Sequence, residues 1–139
     1  MATRTAAPAP ASNAGIAQAA YRAYEAKDRT ALEALLADEF HFTSPLDNRL
    51  DRDTYFRRCW PNSEVIERFD FVHVITDADR VLVTCEGLNT NGHRFRNTEI
   101  LTIRHQHIVE VEVYSGWSLP HKAPPGGFVD PAESELPPS

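Results

Sequence analysis

Glu99 is the residue in this chain best placed to do chemistry. It stands in Phe95-Arg96-Asn97-Thr98-Glu99-Ile100-Leu101-Thr102-Ile103, which ends in an otherwise apolar run. Alternation along a strand puts Phe95, Asn97, Glu99, Leu101 and Ile103 on one face and Thr98, Ile100, Thr102 and Arg104 on the other. A carboxyl on an apolar face either finds hydrogen-bond partners or has its pKa pushed upward, because burial disfavours the charged form. Such a group can serve as a general acid or base, which makes Glu99 the candidate catalytic residue. The plainer reading is a structural acid bonded to a tyrosine or arginine, and the sequence leaves both open. Asn97, two residues earlier on the same face, is the candidate second polar anchor. Tyr24, Phe42, Ser44, Trp60 and Val113 complete the set of candidate ligand contacts. The aromatic members of that set are also residues that a core of this size needs in any case.

Other chemistries find little support. No His, Asp or Glu set has metal-ligand spacing, so no metal is expected. Neither a Gly-x-Gly-x-x-Gly nor a Gly-Lys-Ser loop is present, so no nucleotide or other cofactor is expected. Ser44 lacks a nucleophile elbow and an evident histidine partner. His41 alternates with Phe40 and Phe42 and so faces away from Ser44; His73 is a second weak candidate, and His105 and His107 read as exposed turn residues. Arg49, Arg52, Arg57 and Arg58 form either a solvated helix face or, should one turn inward, a contact for an acidic substrate.

The remaining bounds are simple. At 139 residues the chain supports one domain with one core. Its net charge of −6 argues against nucleic acid, and no apolar run reaches membrane-spanning length. Residues 1–12 read as a disordered tail without the apolar stretch of a signal peptide. Residues 121–139 form a Pro-rich extension, with five of the ten prolines falling after Ala123. Cys59 and Cys85 show neither metal nor disulfide spacing, which suits a cytoplasmic protein with reduced thiols.

The elements that must position Glu99 follow from periodicity. Ile16, Ala19, Ala20, Ala23 and Tyr24 mark a helix capped by Asn13, and Lys27-Asp28-Arg29 breaks it. Thr30 and Glu33 have capping-box spacing before a short helix with Leu32, Leu35 and Leu36. Phe40–Ser44 reads as a strand stopped by Pro45, Leu46-Asp47-Asn48-Arg49 as a turn, and Asp51–Trp60 as a helix halted by Pro61. Four strands follow, over Arg68–Ile75, Arg80–Leu88, the run from Arg94 to Ile103, and Ile108–Tyr114. Asn91-Gly92 predicts a type I′ hairpin between the second and third of them. Helices first and strands afterwards is the α+β pattern: a cone-shaped, curved antiparallel sheet wrapped over N-terminal helices and enclosing a pocket.

With these elements in place the chain, over about 13–120, resembles the nuclear transport factor 2-like superfamily, and within it the SnoaL-like, ketosteroid-isomerase-like branch. The residues that carry the resemblance are the Tyr21/Tyr24 helix, Leu36-Ala37-Asp38-Glu39-Phe40 running to Ser44-Pro45, Gly92-x-x-Phe95-x-Asn97-x-Glu99, and Ile108-Val109-Glu110-Val111 ending at Tyr114. The resemblance implies a cone-shaped barrel with an apolar pocket, often dimeric through the outer sheet face. It also implies isomerase, cyclase, dehydratase or hydrolase chemistry, or binding without catalysis. In the ketosteroid isomerases an aspartate base immediately precedes the proline after the first strand; here that position is Ser44. Their oxyanion-hole tyrosine falls at Ala20, and in that register Tyr21 points elsewhere. Their second donor, a carboxylic acid kept neutral by an apolar site, falls at Glu99. For the dehydratase members, Glu25 falls near the acid, while Ile66 and Glu67 stand where a histidine would. His105-Gln106-His107 replaces an Asp-Gly-Lys-like turn.

The expectation is therefore a homodimeric domain that binds a small apolar molecule, with Glu99 doing cofactor-free acid–base work. The rival is a non-catalytic binding or protein-interaction domain of the same fold. Glu99→Gln is expected to keep the fold while weakening binding or turnover. Glu110, Glu112 and Tyr114 share the outer strand face and are expected to meet Arg104 and Thr102 of a second copy. Trp117, Leu119, Phe128 and Val129 are expected to fold back over the domain, since free tails rarely carry such apolar groups so close together.

Overall fold

A computed structural model describes residues 11–131. Most of the expected N-terminal tail, residues 1–10, and the end of the C-terminal extension, residues 132–139, lie outside the described residues. Helix α1 spans Asn13–Ala26, helix α2 Arg29–Leu35, strand β1 Leu36–Ser44 and strand β2 Asp47–Asp51. Helix α3 (Arg52–Arg58) leads through a 3-10 turn (Trp60–Val65) into strands β3 (Ile66–Asp77), β4 (Arg80–Asn89), β5 (Arg94–Arg104) and β6 (His107–Leu119). The six strands form one curved, unclosed sheet in the order β2-β1-β6-β5-β4-β3. All neighbours run antiparallel except β1 and β6, which are parallel.

Curvature comes from bulges. The β5–β6 register shifts between Arg96 and Asn97 and again between Thr102 and Ile103. The β3–β4 register shifts between Phe71 and His73. Each extra residue bends its strand and increases the local twist, so the sheet closes around α1. Ile16, Ala17, Tyr21 and Ala23 of α1 are buried, and Phe40 of β1 is only 1% exposed. Burying one such large side chain contributes roughly 1.5–3 kcal/mol.

Local chemistry differs from expectation at several points. Ser12, not Asn13, caps α1, accepting a 3.0 Å bond from the Gly15 amide. Asp28, not Thr30, caps α2 through the Ala31 amide, because an aspartate directly after the left-handed Lys27 reaches the first turn. Glu33 pairs instead with Arg29, one helical turn away. The segment read as a turn after Pro45 is shorter than expected, and Asp47–Asp51 returns along β1 as an additional strand. Its few polar residues carry no alternation that would announce a strand. At the Asn91-Gly92 hairpin only Gly92 takes positive φ, and Gly92 N donates to Asn89 O at 2.9 Å. The loop is thus a type I turn closed by a left-handed glycine rather than type I′. His105 and Gln106 both take positive φ, at 51° and 66°, so the type I′ geometry belongs to the β5–β6 turn.

In the C-terminal segment Trp117 and Phe128 do not pack back over the domain, whereas Val129 is half-buried. Trp117 and Leu119 continue β6 opposite Arg96 and Arg94, so ladder pairing holds them on the sheet. Trp117 is 50% exposed and Phe128 85% exposed. Arg104 and Glu110, expected to meet across two copies, already have partners in their own chain: Arg104 pairs with Asp79 at 3.1 Å and Glu110 with Arg49 at 3.7 Å.

One cross-strand pair fixes how β5 presents its inner face. Gly87 lies directly opposite Phe95, whose ring covers the space a Cβ at Gly87 would need. The glycine thereby lets the aromatic ring lie flat across the sheet. Gly87→Ala should displace that ring and lower stability by about 1–3 kcal/mol, the usual cost of overpacking. Chemical denaturation of the variant checks this, and unchanged stability would show that the ring has room to move.

Candidate functional site

A cavity of about 480 Å³ lies between the concave sheet face, α1 and α3. Its walls are mostly apolar, with Leu36, Phe42, Phe69, Phe95, Leu101 and Val113 among the lining side chains. Five side chains bring carboxyl or phenol groups to it: Tyr21 and Tyr24 from α1, Asp47 from β2, Tyr55 from α3 and Glu99 from β5. Strand parity holds through the inner part of β5, so Phe95, Asn97, Glu99 and Leu101 all face inward.

Glu99 is met by Tyr21, whose hydroxyl donates to Glu99 Oε1 at 2.9 Å. The Tyr21 ring stands edge-on to Phe69 and Phe71, with centroids 5.2 and 5.4 Å away, and this packing aims the hydroxyl. The register expected from the resemblance sets the family tyrosine at Ala20 and turns Tyr21 away; Ala20 does line the cavity, but Tyr21 lines it as well. The helix is rotated so that Tyr21, buried at 6% exposure, points at β5. Glu99 is half-buried and lines the cavity. Desolvation raises its carboxyl from 4.5 to about 7, against a lowering contribution from the Tyr21 bond. Burial first, then the Glu99 charge, pushes the Tyr21 phenol well above its usual range, so Tyr21 remains a proton donor.

Tyr24 and Tyr55 form a second polar pair, their hydroxyl oxygens 2.6 Å apart. Trp60 stands edge-on to Tyr24 at 5.0 Å, and Phe40, Phe42 and Phe56 surround the Tyr55 ring. Burial raises both phenols; for Tyr24 the bond to Tyr55 opposes the shift, and for Tyr55 the nearby Tyr24 adds to it.

The other candidates sort by geometry. Phe42 and Val113 line the cavity as apolar wall. Asn97 lines it too, but its Oδ1 accepts from Gly116 N at 3.0 Å and so pins the β6 bulge. Ser44 sits at the mouth, donating to Asp47 Oδ2 at 2.7 Å and accepting from Leu46 N. Trp60 does not line the cavity; it supports Tyr24 from behind. His41 lies beside Arg49, outside the cavity, and Glu25 is taken by Arg22 and the Phe69 amide.

Two titratable lining residues were not singled out by the sequence. Tyr55 sits in a helix whose short length hides which face is buried. Asp47 lines the mouth, bound by Ser44 and ion-paired with Arg58. Desolvation opposes its ionisation, yet the hydrogen bonds from Arg58 and Ser44 win and hold its carboxyl below the usual range. With both oxygens taken by donors, Asp47 is a fixed anion that shapes the mouth, not a free base. The thiols are inert: burial pushes Cys59 up to about 11 and Cys85 up to about 12. Among the described residues no His, Cys, Asp and Glu group could hold a metal, and no helix is long and apolar enough to cross a membrane.

Comparison with known proteins places this geometry. A family model described as the SnoaL-like domain matches residues 17–111. No curated protein matches the chain. A crystal structure of a protein from Kribbella flavida DSM 17836 superposes with a TM-score of 0.66 at 19% identity, covering 73% of this chain and 84% of its own. A second Kribbella flavida structure, named "putative ketosteroid isomerase", gives a TM-score of 0.65 at 19% identity over 87% of this chain and 91% of its own. A de novo designed protein with a curved β-sheet gives 0.64 at 13% identity, covering 73% and 82%. At these identities the likeness speaks for the fold alone.

The raised carboxyl makes a stability prediction with a definite sign. Between 4.5 and about 7 the native state keeps a proton on Glu99 that the unfolded chain has released. The stabilising contribution is thus full below that window, is lost as pH rises through it, and stays lost above; it amounts to about 3 kcal/mol. Glu99→Gln should abolish this slope, matching the wild type at low pH and exceeding it above neutrality. Urea unfolding across the window checks it, and parallel curves for the two proteins would refute it.

Proposed function

Because the chain belongs to the SnoaL-like domain family, we propose that its cavity takes up a small, largely apolar molecule and presents the Tyr21–Glu99 pair to one oxygen of it. The observation that carries this reading is the 2.9 Å Tyr21–Glu99 bond inside an otherwise apolar cavity. Tyr21 occupies one carboxyl oxygen, which leaves Oε2 of Glu99 to the ligand. In its protonated form Glu99 donates to a carbonyl or enol oxygen; in its ionised form it accepts a proton. A group balanced near neutral pH performs both halves of a proton transfer, so one side chain can serve an isomerisation, dehydration or hydrolysis without a cofactor. Asn97 and Tyr24 orient the molecule.

One observation favours binding without turnover. Among the described cavity residues no unengaged carboxylate or imidazole accompanies Glu99, Asp47 being locked by Arg58 and Ser44. On that reading the same pair recognises a carbonyl and does nothing further to it.

Two further proposals concern setting. Free, buried Cys59 and Cys85 suit a reducing, cytoplasmic location. The outer sheet face supports a homodimer: Ile75 and Tyr114, each more than half exposed, lie on the side of the sheet opposite Glu99 and Val113. Wild-type protein should sediment as a twofold dimer at micromolar concentration and Tyr114→Asp as a monomer; a monomeric wild type would end the dimer proposal.

The cavity reading is tested with 1-tetralone, a neutral bicyclic ketone that can only accept. Its affinity, measured by titration calorimetry, should fall as pH rises through 7, because the carboxylate no longer donates to it. Glu99→Leu should weaken binding about tenfold at acid pH, the loss of one hydrogen bond to a polarised donor. Glu99→Gln, which keeps a donor, should bind equally well at every pH while losing any turnover. A wild-type affinity that ignores pH would overturn the role assigned to Glu99.

A further inference from the structure

The cavity holds more donor capacity than the Tyr21–Glu99 pair uses. Tyr24 and Tyr55 carry one hydroxyl proton each. Their mutual 2.6 Å bond consumes one of these protons, whichever oxygen donates. The hydroxyl that accepts still has its own proton to place. Among the described residues neither hydroxyl has another hydrogen-bond partner, and both side chains line the cavity. A buried hydroxyl proton without an acceptor costs free energy that a correctly placed ligand oxygen recovers.

The two polar pairs have separate partners, although the Glu99 charge is close enough to act on Tyr24 and Tyr55. Tyr21 and Tyr24 are three residues apart on α1, so their Cβ atoms are roughly 5–6 Å from one another on neighbouring turns. Their hydroxyls then diverge, Tyr21 toward β5 and Tyr24 toward α3. Rings hold each pair in place: Phe69 and Phe71 around Tyr21, Trp60 behind Tyr24, and Phe40 and Phe56 against Tyr55. Apolar wall surrounds both pairs. Polar groups fixed this way select where a ligand's oxygens must fall, while the apolar wall selects only size.

We infer that the cavity is two-poled, and that its ligand is a compact apolar molecule bearing two oxygen functions, one received by Glu99 and a second, acceptor oxygen received by the Tyr24–Tyr55 pair. This rests on the reading of Glu99 as the first pole. It narrows the ligand class from any small apolar molecule to dioxygenated ring compounds such as hydroxyketones and diketones. A molecule with a single oxygen satisfies one pole and leaves the other proton buried and unmatched. A site that hydrogen-bonds a ligand oxygen discriminates against the analogue lacking it more sharply than an apolar wall discriminates by size.

The test compares 1-tetralone with 6-hydroxy-1-tetralone, which adds an oxygen at the far end of the same ring system. The added oxygen should tighten binding to the wild type by about two- to tenfold, one net hydrogen bond. In the double variant Tyr24→Phe/Tyr55→Phe that preference should vanish, and whatever affinity 1-tetralone retains should still fall as pH rises through 7. In Glu99→Leu both compounds should weaken and the preference for the hydroxyl should survive. Should the double variant not fold, nuclear Overhauser contacts in the wild type decide: the ring protons flanking the 6-hydroxyl should contact the Tyr24 and Tyr55 rings. An equal preference in wild type and double variant, or contacts to other side chains, would overturn the second pole and leave Glu99's role standing. Failure of both compounds to bind the wild type would overturn both.

Discussion

A carboxyl inside a mostly apolar cavity is the constraint from which the rest of this molecule can be reasoned. Ionised and alone, Glu99 would cost several kcal/mol to bury. The structure meets that cost in two ways at once. Tyr21 supplies a donor at 2.9 Å, and burial lets the carboxyl keep its proton up to about 7. Both remedies depend on distant elements. Tyr21 reaches β5 only because α1 crosses the concave face of the sheet, and that face is concave only because bulges near Gly116, Val109 and Val72 bend β6 and β3. The Phe95 ring that continues the same wall needs the empty Cβ position of Gly87 on β4. A single acid thus ties together helix orientation, sheet curvature and a glycine on the neighbouring strand.

How much of this could be read from the sequence depends on how far each signal travels along the chain. Glu99 and Asn97 were legible because strand parity is a local, two-residue rule and no bulge interrupts β5 itself. The inward set on β6 was legible only in part. Val111 and Val113 face the cavity as parity requires, but a bulge at Val109 replaces that valine with Ile108 on the lining. Tyr21 was missed because its role depends on the rotation of α1 about its axis. A difference of one residue turns a helix by about 100°, and nothing local shows that Tyr21 reaches the cavity beside Ala20. Tyr55 was missed for a related reason, since α3 has seven residues, too few for an apolar stripe to declare itself. Trp60 was placed at the ligand on its type alone, whereas edge packing behind Tyr24 is what its ring does. The C-terminal aromatics misled for the opposite reason. Their apolar character is real, yet β6 simply runs on to Leu119, and ladder bonds to β5 are enough to hold Trp117 half exposed.

The cavity contains two carboxyls whose surroundings push them in opposite directions. Asp47, at the mouth, accepts from Ser44 and Arg58 and is held ionised; Glu99, inside, accepts a single neutral hydroxyl and is held near its balance point. Opposed shifts of this kind are how one site assigns different roles to two chemically similar groups. Here the assignment is unequal. Asp47's charge is fully committed, so it organises the rim, and Glu99 is the carboxyl left able to exchange a proton near neutral pH.

That division bears on why the fold tolerates such varied use. A designed protein with a curved β-sheet shares this fold, and a fold by itself does not fix a chemistry. Chemistry then depends on which inward positions carry polar groups and whether those groups are already paired. In this chain the aspartate position before the first-strand proline is Ser44, and it is spent on the turn that carries Asp47. The tyrosines of α1 are instead spread over two partners, one on β5 and one on α3. Each partner fixes one hydroxyl and leaves one site on the pair unsatisfied, so the same four side chains that stabilise the hollow also determine what can fill it. On the proposed reading, recognition is what structural pairing leaves over, and a substitution that completes one of these pairs internally would close the site to ligand without altering the fold.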